Sequence, residues 1–261
     1  MNTIINISNF SKEYLLKKQL LLILLLFCSL TLFSQNKEKS SDSFHVKGAI
    51  SVTNNGISII PTFTLGKPAA IVNMSLGTSR LTFEPEFRVS LEGKPWAFIF
   101  WGRYKAYKSD KFSLNIGAHP AFAFKTVPLT KDGVTSDYIV SQRYVATEVV
   151  PTYHISKDLT LGMYYLYSHG FDFGTIKNTH FVTVNTGISN IEVSNSLRMR
   201  ISPQVYYLRM NDVDGFYTST TFTVSKVDNP FSVSVFFNKV IDTNIAASKD
   251  FVWNATLTYA F

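Results

Sequence analysis

The sequence predicts an all-β protein, a membrane-spanning antiparallel up-and-down β-barrel of about twelve strands. Three observations carry that expectation. Almost all of the chain beyond residue 44 breaks into runs in which apolar and polar residues alternate with a period of two, as in a strand with one greasy face. The composition is 46% hydrophobic and 15% aromatic but only 16% charged, rich in strand formers and amphipathic rings. Residues 1–34 read as an export signal.

In that signal Lys12, Lys17 and Lys18 precede the apolar run 20–33, and Ser34-Gln35 and a polar stretch follow. The run is shorter than the roughly twenty residues a spanning helix needs. Cleavage is expected after Ser34, although Leu32 is not the small residue usual at its position. Phe27 stands where a lipid-anchored Cys28 would need a small neighbour. The mature chain then has no Cys and no disulfide, and its net charge falls from +7 to +5, with 22 basic and 17 acidic residues. No basic cluster longer than two residues survives, so the excess reads as ordinary loop charge, and nucleic acid is excluded as a partner.

Residues 35–55 are expected to form a periplasmic lead-in and residues 56–261 the barrel. The twelve alternating runs are 56–65, 69–76, 81–91, 96–107, 112–126, 138–155, 159–168, 180–188, 197–210, 216–226, 231–240 and 251–261. Most are near the nine to eleven residues of a tilted spanning strand. Residues 45–52 also alternate, weakly, before the turn-forming Asn54-Asn55-Gly56. Counting them would give thirteen strands and leave the chain ends on opposite sides, hence their assignment to the lead-in. The three longest connections, 127–137, 169–179 and 241–250, fall on one side. The tight turns and both termini are therefore expected on the other, periplasmic side.

The faces agree from run to run. Leu114, Ile116, Val182, Val184, Val233 and Val235 fall outward, and Ser113, Asn115, Thr183, Asn185, Ser232 and Ser234 inward. Pro-x-aromatic recurs at Pro61, Pro85, Pro120 and Pro151, with a weaker copy at Pro203. Each proline removes a ladder hydrogen bond, so a local bulge is expected at each.

The last run, Phe251-Val252-Trp253-Asn254-Ala255-Thr256-Leu257-Thr258-Tyr259-Ala260-Phe261, has an apolar or aromatic residue at every odd position. It resembles the C-terminal strand of bacterial outer-membrane β-barrels. The resemblance implies that Leu257, Tyr259 and Phe261 form the signal read by the barrel-insertion machinery. With the Phe33-Ser34-Gln35 end of the signal peptide, the chain as a whole resembles outer-membrane barrels of the Bacteroidota. This implies the cell outer membrane as location, with outer-membrane lipid and the insertion machinery as partners.

No HExxH, GxSxG, Walker or dinucleotide motif occurs, and no cofactor, metal site or enzymatic activity is expected. His154-Ile155-Ser156 faintly resembles the His-x-Ser of outer-membrane lipid-acting enzymes, but at a short, periplasmic turn; Ser168-His169 lies on the better side in reversed order. The stronger signal is a set of charges whose register points inward: Glu84, Glu86, Arg88, Arg103, Lys105, Lys125, Glu148, Arg198 and Arg200. A basic side chain facing mid-membrane hydrocarbon costs roughly 2–4 kcal/mol, which drives these residues to the lumen. Such residues either line a weakly selective channel for small polar or anionic solutes, or pair across the lumen and fill a structural, surface-interacting barrel.

Overall fold

The structure, a computed structural model, describes residues 43–131 and 133–261. The expected signal peptide, 1–34, lies outside the described residues. Twelve antiparallel strands follow one another: β1 (His45–Thr53), β2 (Ala69–Gly77), β3 (Leu81–Ser90), β4 (Pro95–Lys108), β5 (Phe112–Lys131), β6 (Val134–His154), β7 (Leu159–Gly170), β8 (Asn178–Ser194), β9 (Leu197–Met210), β10 (Val213–Lys226), β11 (Phe231–Thr243) and β12 (Phe251–Ala260). Each pairs with its sequence neighbours, and β12 returns to β1, closing the barrel. Closure satisfies the backbone internally and removes the edges that hydrocarbon could not solvate.

Alternation places small, polar and some aromatic side chains inside and aliphatic and aromatic ones outside. On β5, Ser113, His119 and Ala123 are buried while Ile116 faces out; on β9, Tyr206, Leu208 and Met210 are buried while Val205 faces out. Around the outside, Ile50, Phe83, Ile116, Met163, Val205 and Val233 are each 41–53% exposed. An apolar belt carried by nearly every strand is not compatible with water and is what a bilayer solvates. The protein is a transmembrane barrel of the outer membrane.

Three expectations are corrected. The first strand is His45–Thr53, which pairs with both β12 and β2, so it is barrel wall and not lead-in. Residues 56–65 form no strand: they carry a 3-10 turn at Pro61–Phe63 and fold into the barrel. The even count survives because one segment leaves the barrel wall as another enters it. The connection expected at 127–137 is mostly strand, since β5 and β6 continue past their neighbours as a two-stranded ribbon paired out to Lys131↔Val134. β4 leaves β5 at Ala123, and β7 leaves β6 at Tyr144.

The prolines also act differently from expectation. Pro85, Pro120, Pro151 and Pro203 each open one ladder for two rungs without slipping it: β2 and β3 pair at Asn73↔Glu86 and resume at Leu76↔Phe83, and β4 and β5 pair at Ile99↔Ala121 and resume at Gly102↔Ala118. The same gap occurs beside Pro151 between Val149↔Tyr165 and Thr152↔Gly162, and beside Pro203 between Asn185↔Gln204 and Ile188↔Ile201. The missing N–H removes bonds toward one neighbour only, and the intact ladder on the other side holds the register. The register shifts lie elsewhere, at Arg88/Val89, Lys105/Tyr107, Phe216/Tyr217, Ile188/Ile191 and Glu192/Ser194.

The turns 78–80, 109–111, 155–158, 195–196 and 227–230 lie on the side of the termini, and the connections 54–68, 171–177 and 244–250 lie on the opposite one. Short turns on the terminal side are the periplasmic arrangement.

Candidate functional site in the barrel lumen

The lumen is layered along its depth. On the outer side, residues 54–68 leave β1, turn inward and return to β2 through a narrow neck. There Gly56 N–H donates to Lys67 O at 2.7 Å, and Gly56 O accepts from Leu65 N at 2.8 Å and Gly66 N at 3.2 Å. Inside the loop, Ser58 N donates to Thr64 Oγ1, whose hydroxyl donates back to Ser58 O. The 3-10 turn sets Phe63 edge-on to Tyr144, ring centroids 5.0 Å apart, and Trp96 Nε1 donates to Phe63 O at 2.7 Å. Such a self-bonded, short-necked segment is an Ω-loop.

Ile59 and Ile60 of this loop, and Ile245 from the β11–β12 connection, pack on a buried cluster that includes Leu166, Phe181, Tyr206, Leu208, Met210 and Tyr217. Tyr206 and Tyr217 stack with centroids 4.8 Å apart, and their hydroxyls reach Asn238 and Thr243 at 2.8 Å. The outer half of the lumen is therefore a small apolar core. Below the loop lies a cavity of about 690 Å³, lined by side chains from β3 to β12 and roofed by Ile57, Ile60 and Phe63.

Charge is confined largely to one wall. Arg103 on β4 donates from Nε to Glu148 Oε1 on β6 at 2.7 Å and from Nη1 to Glu84 on β3. Glu148, 1% exposed, also accepts from Tyr164 Oη at 2.9 Å. Arg88 bonds Glu86, which accepts in addition from Asn73 Nδ2. Each guanidinium lies over an indole, Arg88 over Trp96 at 5.0 Å and Arg103 over Trp101 at 4.2 Å, a favourable cation–π arrangement. The facing wall, β10 to β12, turns Ser219, Thr221, Ser234, Asn238, Asn254 and Thr256 inward and carries no ionised group there.

The nine predicted lumen residues thus separate. Glu84, Glu86, Arg88, Arg103 and Glu148 form the network just described, pairing along one wall where pairing across the lumen was the alternative expected. Arg198 lies at the periplasmic rim, 3.4 Å from Glu192, and donates to Ser194 O. Lys105 and Arg200 face the lumen with no side-chain bond among the described residues, Arg200 beside Gly187. Lys125 has inward parity but lies past the last β4 rung, exposed on the ribbon. Leu257, Tyr259 and Phe261 point outward, as expected of the terminal strand, and the Tyr259 ring sits 5.1 Å from Phe231.

Sequence reasoning missed the stopper loop, the two lumen indoles Trp96 and Trp101, and the inward residues of β1, Lys47 among them. Gly56 and Gly66 bracketing Pro61 were the available signal for the loop. The two His/Ser pairs do not assemble. His154 Nε2 lies 3.2 Å from Ser113 Oγ, while Ser156 Oγ caps its own turn by accepting from Asp158 N and Leu159 N. Ser168 is buried inside, and His169 is on the opposite face beside Asn178.

Fold and lumen together define a stoppered transmembrane β-barrel of the outer-membrane class. No family model matches the chain, and a search of curated proteins finds no relative. Among solved structures it is similar to the KdgM porin, at 10% identity and a TM-score of 0.49 over 82% of this chain and 99% of that one. The NanC porin gives 10% identity and 0.48 over 83% and 98%. LpxR from Salmonella typhimurium gives 12% and 0.46 over 82% and 99%. At these scores the likeness adds nothing to what the strand order already shows and assigns no activity.

Proposed function

We propose that the protein is a passage for small solutes across the outer membrane, closed on its outer side by residues 54–68. The observation that supports this reading is the cavity of about 690 Å³ directly under the folded-in loop. A barrel whose only role is structural gains stability by packing its interior, and protein cores leave few voids larger than a water molecule. Here the packed layer is limited to the outer half, and the stopper is joined to the wall through a neck a few atoms wide, so it can leave as a unit. No catalytic step belongs to the reading, since neither His/Ser pair converges.

The second reading is a structural barrel with a filled lumen. The ion-paired wall favours it, because Arg88 and Arg103 have no charge left over for a solute. Planar-bilayer conductance separates the two. Because Gly56 and Gly66 already touch, residues 57–64 can be replaced by an Asn-Gly turn without straining β1 or β2. The passage reading expects rare or small openings from the wild type and steady current steps from the shortened variant. A folded, shortened variant that stays silent would leave the structural reading in place.

A further inference from the structure

We infer that the lumen cavity binds small uncharged amphipathic solutes, apolar on one side and hydroxylated on the other, and not anions. This rests on the passage reading only for the route by which solute arrives; the binding site itself stands without it.

Of the ionised groups lining the cavity, Glu86 is held by Arg88, and Arg103 is held between Glu84 and Glu148. The flat faces of both guanidinium groups are occupied by indoles. An anion would have to displace a carboxylate from a half-buried arginine, leaving that carboxylate without a countercharge, which is more costly than the new contact returns. The free cations Lys47, Lys105 and Arg200 are not among the cavity's lining residues.

Free hydrogen-bonding capacity lies in neutral groups. Thr221, Ser234 and Thr256 line the cavity on the uncharged wall, and their hydroxyls have no protein partner among the described residues. Across from them the His119 ring lines the same cavity, packed on Trp101 with centroids 4.0 Å apart. The apolar part of the lining is Ile57, Ile60 and Phe63 in the roof and Ile99, Leu166 and Phe181 in the walls, with Ser168, Thr183, Gln204 and Asn254 among the polar remainder. A cavity of this size, mostly apolar with a few convergent polar groups, has the make-up of a small-molecule site. The complementary molecule carries several hydroxyls against the β10–β12 wall and an apolar body under the loop, as a glycoside with an aromatic aglycone does.

The chain supplies its own reporter. It has three tryptophans; Trp96 and Trp101 line the cavity, and Trp253 faces lipid. Trp253→Phe protein in a lipid bilayer, free of detergent, therefore reports lumen occupancy by its fluorescence. Titration with phenyl β-D-glucoside is expected to give a saturable change, methyl β-D-glucoside a weaker one, and phosphate and citrate none. Ser234→Phe and Thr221→Phe, which project into the void, are expected to weaken phenyl glucoside binding about tenfold or more while heat-modifiable gel mobility shows an intact barrel. The inference is overturned by the absence of a saturable change, by equal or stronger binding of the anions, or by folded occluding variants that bind as before. Conductance reports separately on the passage: binding without current would remove the route and keep the site, and current without binding the reverse.

Discussion

The ring of Phe261 lies directly on the Cα of Gly48. Their backbones exchange two hydrogen bonds of 2.9 Å, and a methyl group at Gly48 would sit 2.5 Å from Phe261 Cζ. The contact closes the barrel: the terminal residue lies across the one position of β1 that lacks a side chain. Strand glycines expose backbone, and a diagonal or opposing aromatic covers it.

This relationship makes an unusual prediction about strand propensity. Val is a better strand residue than Gly, yet Gly48→Val should destabilise, because it expels the Phe261 ring. Phe261→Ala should lose the same contact. The two effects are expected to overlap, with a coupling of roughly 0.5–1 kcal/mol in a double-mutant cycle of urea unfolding in lipid vesicles. Strict additivity would mean that the ring and the glycine are independent. Deleting Phe261 should also lower outer-membrane assembly while leaving export intact, read as the heat-modifiable fraction of exported protein.

Glu148 carries the second prediction. It is the buried member of the network and accepts from both Arg103 and Tyr164. Glu148→Ala leaves Arg103 Nε and the Tyr164 hydroxyl without their acceptor, Arg103 keeping only Glu84, and should cost about 1–3 kcal/mol, whereas Arg200→Ala, which breaks no bond, should stay within about 0.5 kcal/mol. Thermal loss of heat-modifiable mobility ranks the two. Equal transition temperatures would show that the wall network contributes nothing.

What the sequence made legible follows from the range of the forces involved. Alternation, outward aliphatics and inward charges are local consequences of a strand crossing hydrocarbon, so nearly every face and the side of each connection were readable. β1 was not, because Gly48 breaks its apolar face and the residue that repairs it stands at the other end of the chain. Residues 56–65 alternate as well as any strand, but Pro61 and the inward packing of Ile59 and Ile60 commit them to the lumen. Only the assembled barrel contains the surface they cover. The inward charges were foreseen, but their partners were not. Which carboxylate meets Arg103 depends on the relative register of β3, β4 and β6, and no single strand encodes that. The ribbon of β5 and β6 had a turn signal in Gly133, which takes a φ of 77°, inside a stretch read as loop.

Loop anchoring should respond to pH. Asp172, in the β7–β8 connection, accepts bidentate bonds from the Arg143 guanidinium, at 2.6 Å from Nη2, and a 2.6 Å bond from Arg143 N. These bonds hold its carboxyl below the ordinary carboxylate range. A depressed folded pKa means stabilisation that is complete above the unfolded value, near pH 4, and is lost as pH falls through the lower folded value. Protection of the Arg143 amide in hydrogen exchange, corrected for intrinsic rate, should thus hold at neutral pH and fall only in acid. Asp172→Asn should be pH-independent. Loss of protection already near pH 6 would assign the anchoring to another group.

Orientation is tested by single cysteines, since the described residues hold none of their own. On intact cells an impermeant thiol reagent should label Thr135→Cys on the ribbon and Ala247→Cys in the β11–β12 connection. Lys157→Cys should react only after the outer membrane is opened. The inverse pattern would turn the barrel over and put the stopper loop on the periplasmic side.

The last prediction concerns selectivity once the stopper is removed. Of the cations facing the lumen, Arg88, Arg103 and Arg198 have carboxylate partners within 4 Å, leaving Lys47, Lys105 and Arg200 without one among the described residues. Three unpartnered cations, offset in part by the extra carboxylate of the wall network, favour anions weakly, and the preference should fade as salt rises and screening shortens. In the variant lacking residues 57–64, Arg200→Glu should therefore move the reversal potential in a KCl gradient toward cation preference, and Arg198→Glu, the same change of two charges at the solvent-screened periplasmic rim, should move it less. Both should fold, since lumen positions stay hydrated. If Arg198→Glu shifts selectivity as far as Arg200→Glu, the rim governs ion entry as strongly as the inner face of β9. If neither shifts it, ions do not pass along the inner face of β9.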